Sequence, residues 1–471
     1  MMSASASPSQ PRIACLATHG GHAGGAAIAM ERLVAGLRGA GADVGIVTRA
    51  NCPWPPAIGR LDRRIRRRIR HGRTSLSNTL FTADWPAWDL SSHPAVTRSD
   101  FVNLHWVAGF LAAEGIRRIV ASGRPVAWTL HDMRPFTGGC HYAAGCTGFT
   151  ANCQGCPQLI PAVAELAARG LARSRRRLHG LPLTFVAPSH WLAGELVRSS
   201  LFDPESHAVK VIPNGIDLGL FAAGDRAQAR QHLGLPAEGL GILLGSVSLD
   251  ERRKGGDVAV AAITRLAADL AAAPAAGPQP FVVTYGAGGS AIPGLPCRHL
   301  GTVNEAGVRQ ALHACDVHLT MAREDNLPNT VMEAMACGVP VIAAAAGGLP
   351  EMIEHDRTGW LVPVDDAGAA AAILGHVCRD PGRAVAAGRE ARRHAEATWD
   401  LRLQAARYLE LARDLTAANP ACRTGGGPAG GDGVPAPLTP AVAPFAHPAA
   451  RLRAPLRHLR RTASLPWRRA A

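Results

Sequence analysis

Between residues 12 and 416, short runs of apolar and β-branched residues alternate with stretches whose apolar positions recur every three to four residues. That alternation predicts βαβ units and parallel sheets. Strands are expected at 12–18, 43–49, 101–106, 125–130 and 183–187, then at 208–212, 240–247, 280–285, 297–301, 316–320 and 339–344. Helices are expected at 25–39, 108–122, 159–177 and 190–200, the last capped by Ser189. In the second half they fall at 226–233, 256–272, 305–314 (capped by Asn304), 329–337, 367–378 and 381–397. So many strands exceed one sheet. The pattern fits two doubly wound α/β domains, 12–212 and 222–397, joined by a hinge at 213–221. Residues 1–11 read as a flexible N-terminus, and a helix over 398–418 is expected to pack back on the first domain. In such sheets ligands bind at the carboxyl ends of the strands.

Composition narrows the class. The 471 residues are 47% hydrophobic, enough for globular cores and against global disorder. No run of about 18 apolar residues lacks a charge, so no membrane span is expected. The opening MMSASASPSQPRIACLATHG has no basic start followed by an apolar run, which reads as a cytoplasmic protein without a secretory signal. The net charge of +14 sits in two places: residues 60–73 and 419–471 each hold eight arginines against one aspartate. The remainder is balanced, so there is no basic face for nucleic acid. Residues 419–471 are a Pro/Gly/Ala mixture with no apolar period and read as a disordered basic tail.

The N-terminal half offers four candidate features. Gly20, Gly21, Gly24 and Gly25 surround a turn that opens a helix, so Gly24 and Gly25 can bring backbone N–H groups close to an anion or sugar. The same glycines also suit a tight strand-to-helix turn. The spacing is not G-x-G-x-x-G, which disfavours a dinucleotide. His105 and His131 end strands, where an imidazole can bond a sugar hydroxyl or phosphate oxygen. Cys140, Cys146, Cys153 and Cys156 lie in one long connection, 132–158, spaced C-x5-C-x6-C-x2-C. Structural zinc and reduced thiols are both compatible with that spacing. In 58–73, Ile58, Leu61, Ile65 and Ile69 form one helical stripe among arginines. That pattern serves a helix on an anionic membrane surface or one whose stripe packs on the core.

The C-terminal half carries sharper chemistry. GSVSLDERRKGGD follows a strand and sets Arg252, Arg253 and Lys254 just before a helix, suiting a diphosphate leaving group. A helix beginning at Asn329 and Thr330 can receive phosphate oxygens on its first N–H groups. Glu333, one turn inside, can reach a ribose diol.

PNGID at 213–217, the RKG turn, and EAMACGVPVIAAAAGGLPEMI followed by GWLVP together resemble the family-four retaining glycosyltransferases. The GGAA loop, LHW and TLHDMRPFTGGCHYAAGC…CQGCPQL resemble the subset acting in colanic-acid-type exopolysaccharide synthesis. The resemblance spans residues 12 to 416 and implies the GT-B fold, two Rossmann-like domains facing across a cleft. It implies a nucleotide-diphospho-sugar donor held mainly by the C-terminal domain and a saccharide acceptor on the N-terminal one. The basic amphipathic helix at 58–73 suggests an acceptor that is lipid-linked at the inner membrane face, with a diffusible acceptor as the alternative. His131 matches the histidine near the transferring sugar, Lys254 the diphosphate lysine and Glu333 the ribose-binding second glutamate of an E-x7-E pair. Two positions depart from the pattern: Asp325 stands at the first place of that pair with Glu324 beside it, and Ser248 replaces an arginine six residues before the lysine. Arg253 is the candidate to take over that role. The departures also motivate the alternative of a catalytically silent nucleotide-sugar-binding protein. No D-x-D occurs, so no metal is expected in the transfer, no cofactor is required for it, and any zinc would be structural.

Overall fold

The computed structural model describes residues 10–20, 24–52, 56–75, 79–85, 88–272, 278–288 and 292–419. The segments 1–9 and 420–471, the latter including nearly all of the expected disordered tail, lie outside the described residues. So do Gly21 and its two successors.

Among the described residues, twelve strands form two all-parallel sheets of six. The first contains β1 (Ile13–Ala17), β2 (Val44–Thr48), β3 (Phe101–Leu104), β4 (Val126–Thr129), β5 (Leu183–Ala187) and β6 (His207–Val211). Their order is β2-β1-β3-β4-β5-β6. The second contains β7 (Gly241–Ser248), β8 (Phe281–Ala287), β9 (Cys297–His299), β10 (Val317–Thr320), β11 (Val341–Ala344) and β12 (Gly359–Val362). Here the order is β12-β11-β10-β7-β8-β9. Most central strands are buried on both faces, which is why they read as unbroken apolar runs.

The helices 25–39, 226–233, 256–272 and 305–314 occupy the residues their periodicity predicts. Ser189 and Asn304 cap as expected, accepting from Leu192 N and Gly307 N. The helix expected over 108–122 is shorter, Ala113–Ala121. Gly109 takes a positive φ of 71°, so the buried apolar residues before it form a turn, and Asp84 accepts the bond from Ala113 N. β12 escaped the periodicity because its apolar core is only Trp360–Val362. In the arginine-rich helix Pro56–His71, Ile69 is buried and Ile65 packs on the first core. Its apolar stripe therefore largely faces the protein, except for Leu61, and arginines face outward.

Helix Leu401–Ala417 lies against helix Gly25–Gly39. Tyr408, Leu409, Leu411 and Ala412 share a core with Met30, Leu33 and Leu37 and with β1. The Tyr408 hydroxyl meets Thr129 Oγ1 at 2.9 Å. Each sheet reverses direction of winding once, between β1 and β3 and between β7 and β10. Crevices outside such reversals are where doubly wound sheets bind ligands.

Candidate active site

The β7/β10 crevice is built by two turns that interlock. After β7, Arg252–Lys254 form a single 3-10 turn that ends at Gly255, with φ 65°. A Cβ on Gly255 would stand 1.8 Å from the Met321 carbonyl oxygen, so only glycine lets the turn sit against the segment after β10. Arg323 N donates to Arg253 O at 2.7 Å and completes the join. Gly347 plays a similar part: a Cβ there would fall 1.9 Å from Asp325 O.

These turns bring Lys254, Arg253 and Asp325 together. Lys254 Nζ lies 2.7 Å and Arg253 Nη1 3.3 Å from Asp325 Oδ2. Asp325 Oδ1 accepts from Asn326 N and, at 3.3 Å, from the Tyr142 hydroxyl. The two cations outweigh the cost of burial and hold this carboxyl down at about 2. Asp325, the residue at the first place of the E-x7-E pair, is thus committed to the cations that face it. Glu324 accepts from Ala143 N and Ala144 N, the latter at 2.8 Å, so it fastens the cysteine-rich connection. Arg253 also donates to Glu324 O and lies 4.2 Å over the Tyr142 ring. Ser248, at the position usually held by arginine, ends β7 where its register with β8 is irregular.

Helix Asn329–Ala336 starts after Pro328 without a capping side chain. The N–H groups around Asn329 and Thr330 therefore remain available to an oxyanion. Asn329 Nδ2 donates to Gly25 O at 3.0 Å, joining the glycine loop of the first half to this helix start. Gly24, with φ 107°, is the N-cap residue of helix Gly25–Gly39. Within that helix, buried Arg32 reaches Glu333 at 2.8 Å and Glu305 at 2.9 Å. Burial raises the Glu333 carboxyl despite this partner. Arg32 also lies 5.0 Å over the Phe221 ring.

Across the cleft, His131 Nε2 meets His105 Nδ1 at 3.1 Å. His105 is fully enclosed and lies behind; His131 retains some exposure. Removal from water pushes the His131 imidazole down to about 4 and His105 well below its usual value, so both are neutral at physiological pH. Asp132 accepts from Trp106 Nε1 at 2.7 Å and bonds His141 Nδ1 at 2.6 Å, fixing the chain immediately after His131. Further bonds tie the halves together: Ser189 Oγ to Asn326 Oδ1 at 2.6 Å, and Glu351 accepting from His190 N and Trp191 N.

The sequence pattern marked Ser189 only as a helix cap and did not single out Arg32, Tyr142, Asn326 or Glu351. Each acts through a partner more than 100 positions away. The GGLPEMI motif did contain Glu351, whose carboxylate occupies a helix N-terminus. Cys140, Cys146, Cys153 and Cys156 line one small cavity of about 20 Å³. Among the described residues no three His, Cys, Asp or Glu side chains are arranged to hold a metal ion.

Two doubly wound sheets whose carboxyl edges share one bonded network define a GT-B architecture. The comparisons agree and extend it. A family model for Glycosyltransferase Family 4 matches residues 23–220, and one for glycosyl transferases group 1 matches 238–380. The D-inositol 3-phosphate glycosyltransferase of Saccharomonospora viridis is 32% identical over 224 residues, 43% of this chain and 49% of that protein. The GDP-mannose-dependent alpha-(1-6)-phosphatidylinositol monomannoside mannosyltransferase of Mycolicibacterium smegmatis is 30% identical over 45% of this chain and 58% of its own length. The matched region thus spans about half the length of these curated relatives. In fold, the chain is similar to Anabaena HepE solved with UDP-glucose: TM-score 0.56, 18% identity, covering 85% of this chain and 100% of that one. Over these two segments the sequence is similar to family-four and group-1 glycosyltransferases, and the fold is that of GT-B structures. Among the described residues no helix is long and apolar enough to cross a membrane.

Proposed function

We propose that the protein transfers a glycosyl group from a nucleotide-diphospho-sugar to a saccharide acceptor, with retention of anomeric configuration. The observation that carries this reading is the convergence of a cation pair, an uncapped helix start and a buried carboxylate on the β7/β10 crevice. Arg253 and Lys254 supply positive charge where a diphosphate gains negative charge on leaving. The helix at Asn329 and Thr330 adds N–H donors. Glu333 accepts from the ribose hydroxyls once Arg32 gives way. His131, held neutral, bonds the transferring sugar.

In the transfer, the acceptor oxygen bonds the anomeric carbon on the face from which the nucleoside diphosphate departs. The leaving phosphate takes the bonding electron pair, and the acceptor proton passes to its oxygen. Holding both substrates in one cleft contributes about 7–11 kcal/mol by making the attack effectively unimolecular. No metal or other cofactor takes part in this scheme, and no side chain serves as nucleophile. Two similar proteins support a nucleotide-sugar donor: one is GDP-mannose-dependent, and HepE was solved with UDP-glucose. The HDMRPFTGGCHY resemblance supports a role in exopolysaccharide synthesis on a lipid-linked acceptor. A cytoplasmic location follows from such a donor, and the outward arginines of helix Pro56–His71 support loose electrostatic contact with an anionic inner-membrane face.

A thermal-shift panel of nucleotide sugars tests the proposal, with Glu333→Ala and His131→Ala as controls. A donor at about 100 times its Kd stabilises by about 2.7 kcal/mol. One donor should raise the wild-type Tm and leave the Glu333 variant unmoved. No response to any donor overturns the reading. Sugar transfer by the wild type from the responding donor excludes a catalytically silent binder.

A further inference from the structure

The other winding reversal, β1/β3, opens into a cavity of about 420 Å³ that the donor chemistry does not use. That volume lies within the range of small-ligand sites, about 300–1,000 Å³. His19 follows β1, and Trp106 follows His105 at the end of β3; both line it, their rings stacked at 5.9 Å. Trp85 closes another side, and among the described residues its Nε1 has no hydrogen-bond partner although the atom is buried. A further wall is the arginine-rich helix and the turn that follows it, presenting Arg66, Arg70 and Arg73.

Charge decides what this cavity takes. Its acid is Asp62, paired with Arg66 at 2.8 Å and Arg49 at 3.4 Å, so the net positive charge of the lining comes from Arg70 and from Arg73, which also donates to Thr79 O at 2.9 Å. Glu251, the acid of the second half nearest Arg73, is paired to Arg253. The cavity is therefore cationic; partial burial, and after it the positive charges of Arg49 and Arg66, holds the His19 imidazole down. Tryptophan faces suit the apolar faces of a pyranose, but three arginines exceed what neutral hydroxyls need. Arginine forks match phosphate oxygens. The cavity also adjoins the reacting centre, because the residue before Trp106 is the histidine bonded to His131.

We propose that this cavity is the acceptor site and that it selects a saccharide carrying a phosphate or diphosphate, bound by Arg66, Arg70 and Arg73. The inference rests on the transfer reading above and names the chemical class of the acceptor. A lipid-linked saccharide diphosphate and a free sugar phosphate share that chemistry.

The test titrates three probes into the full chain by calorimetry: N-acetylglucosamine, N-acetylglucosamine 1-phosphate, and farnesyl-diphosphate-linked N-acetylglucosamine. A charged probe should bind at least about tenfold more tightly than the neutral sugar. Arg70→Gln and Arg73→Gln should each remove most of that preference, and raised salt should erode it in the wild type. Tight binding of the farnesyl probe alone identifies the lipid-linked source; equal binding of the free sugar phosphate identifies the soluble one. No binding of either charged probe, equal affinity for charged and neutral probes, or a preference that survives both substitutions overturns the proposal. The nucleotide-sugar panel run on the same variants separates the two readings. A Glu333-dependent donor response without a charge preference defeats only the acceptor inference. A charge preference dependent on Arg70 without any donor response defeats the transfer reading and leaves the cavity's chemistry standing.

Discussion

Asp325→Asn removes the buried negative charge from a triad whose two cations keep partial access to water. The wild-type carboxylate is 6% exposed and faces Lys254 at 2.7 Å and Arg253 at 3.3 Å. A carboxyl held at about 2 rather than the ordinary 3.8 contributes about 2 kcal/mol at neutral pH. Removing it also leaves two cations facing each other in a buried site, which puts the total near the 3–5 kcal/mol typical, on the order of magnitude, of a broken buried pair. With a urea slope of about 2–3 kcal/mol/M, the midpoint should fall by about 1–2 M at pH 7. The acid dependence has a definite sign. Because the folded pKa is depressed, the contribution is complete above about pH 4 and disappears as pH falls through about 2. The gap between wild type and variant should therefore narrow over that window. Equal midpoints at pH 7, or a gap that stays constant into acid, would refute the assignment of Asp325 to the cation pair.

Three further outcomes are expected. His131 and His318 are both held at about 4, so unfolding exposes imidazoles that take up protons. Stability should drop as pH falls from about 6.5 toward 4, by up to about 3 kcal/mol for each group, and His131→Gln should flatten the curve in urea titrations at successive pH values. Gly255→Ala places a methyl 1.8 Å from Met321 O at a positive φ, so the Arg252–Lys254 turn must shift. The nucleotide-sugar thermal shift should vanish in that variant while circular dichroism keeps its α/β character. Glu324→Ala releases the N–H groups of Ala143 and Ala144, and limited proteolysis within 143–156 should accelerate.

The sheets were legible because parallel strands buried on both faces announce themselves as apolar runs, and because caps such as Ser189 and Asn304 mark helix starts. The short strand at Trp360 and the turn at Gly109 were not, since one is too brief for a period and the other is an apolar run bent by a single φ. Among the site residues, Lys254, Asn329 and Glu333 could be found from local order along the chain. Their partners could not: Arg32 looks like an ordinary charged helix position until the fold sets it beside Glu333. The role of Asp325 was hidden for the same reason, because a carboxylate's partner across the fold decides whether it meets a sugar or an arginine. The apolar stripe of the arginine-rich helix left two readings open, as the same period describes a helix on a membrane and a helix on a core.

Helix Leu401–Ala417 carries a consequence for synthesis. One apolar side of the first half, formed by Cys15 of β1 with Met30, Leu33 and Leu37 of helix Gly25–Gly39, is covered by Tyr408, Leu409 and Leu411. Those covering residues emerge roughly 200 positions after β6, an interval of about 10–40 s at ribosomal speeds. The second sheet acquires its own core before then. The nascent first half must wait, one apolar face uncovered, so the last half to be translated is the first able to close.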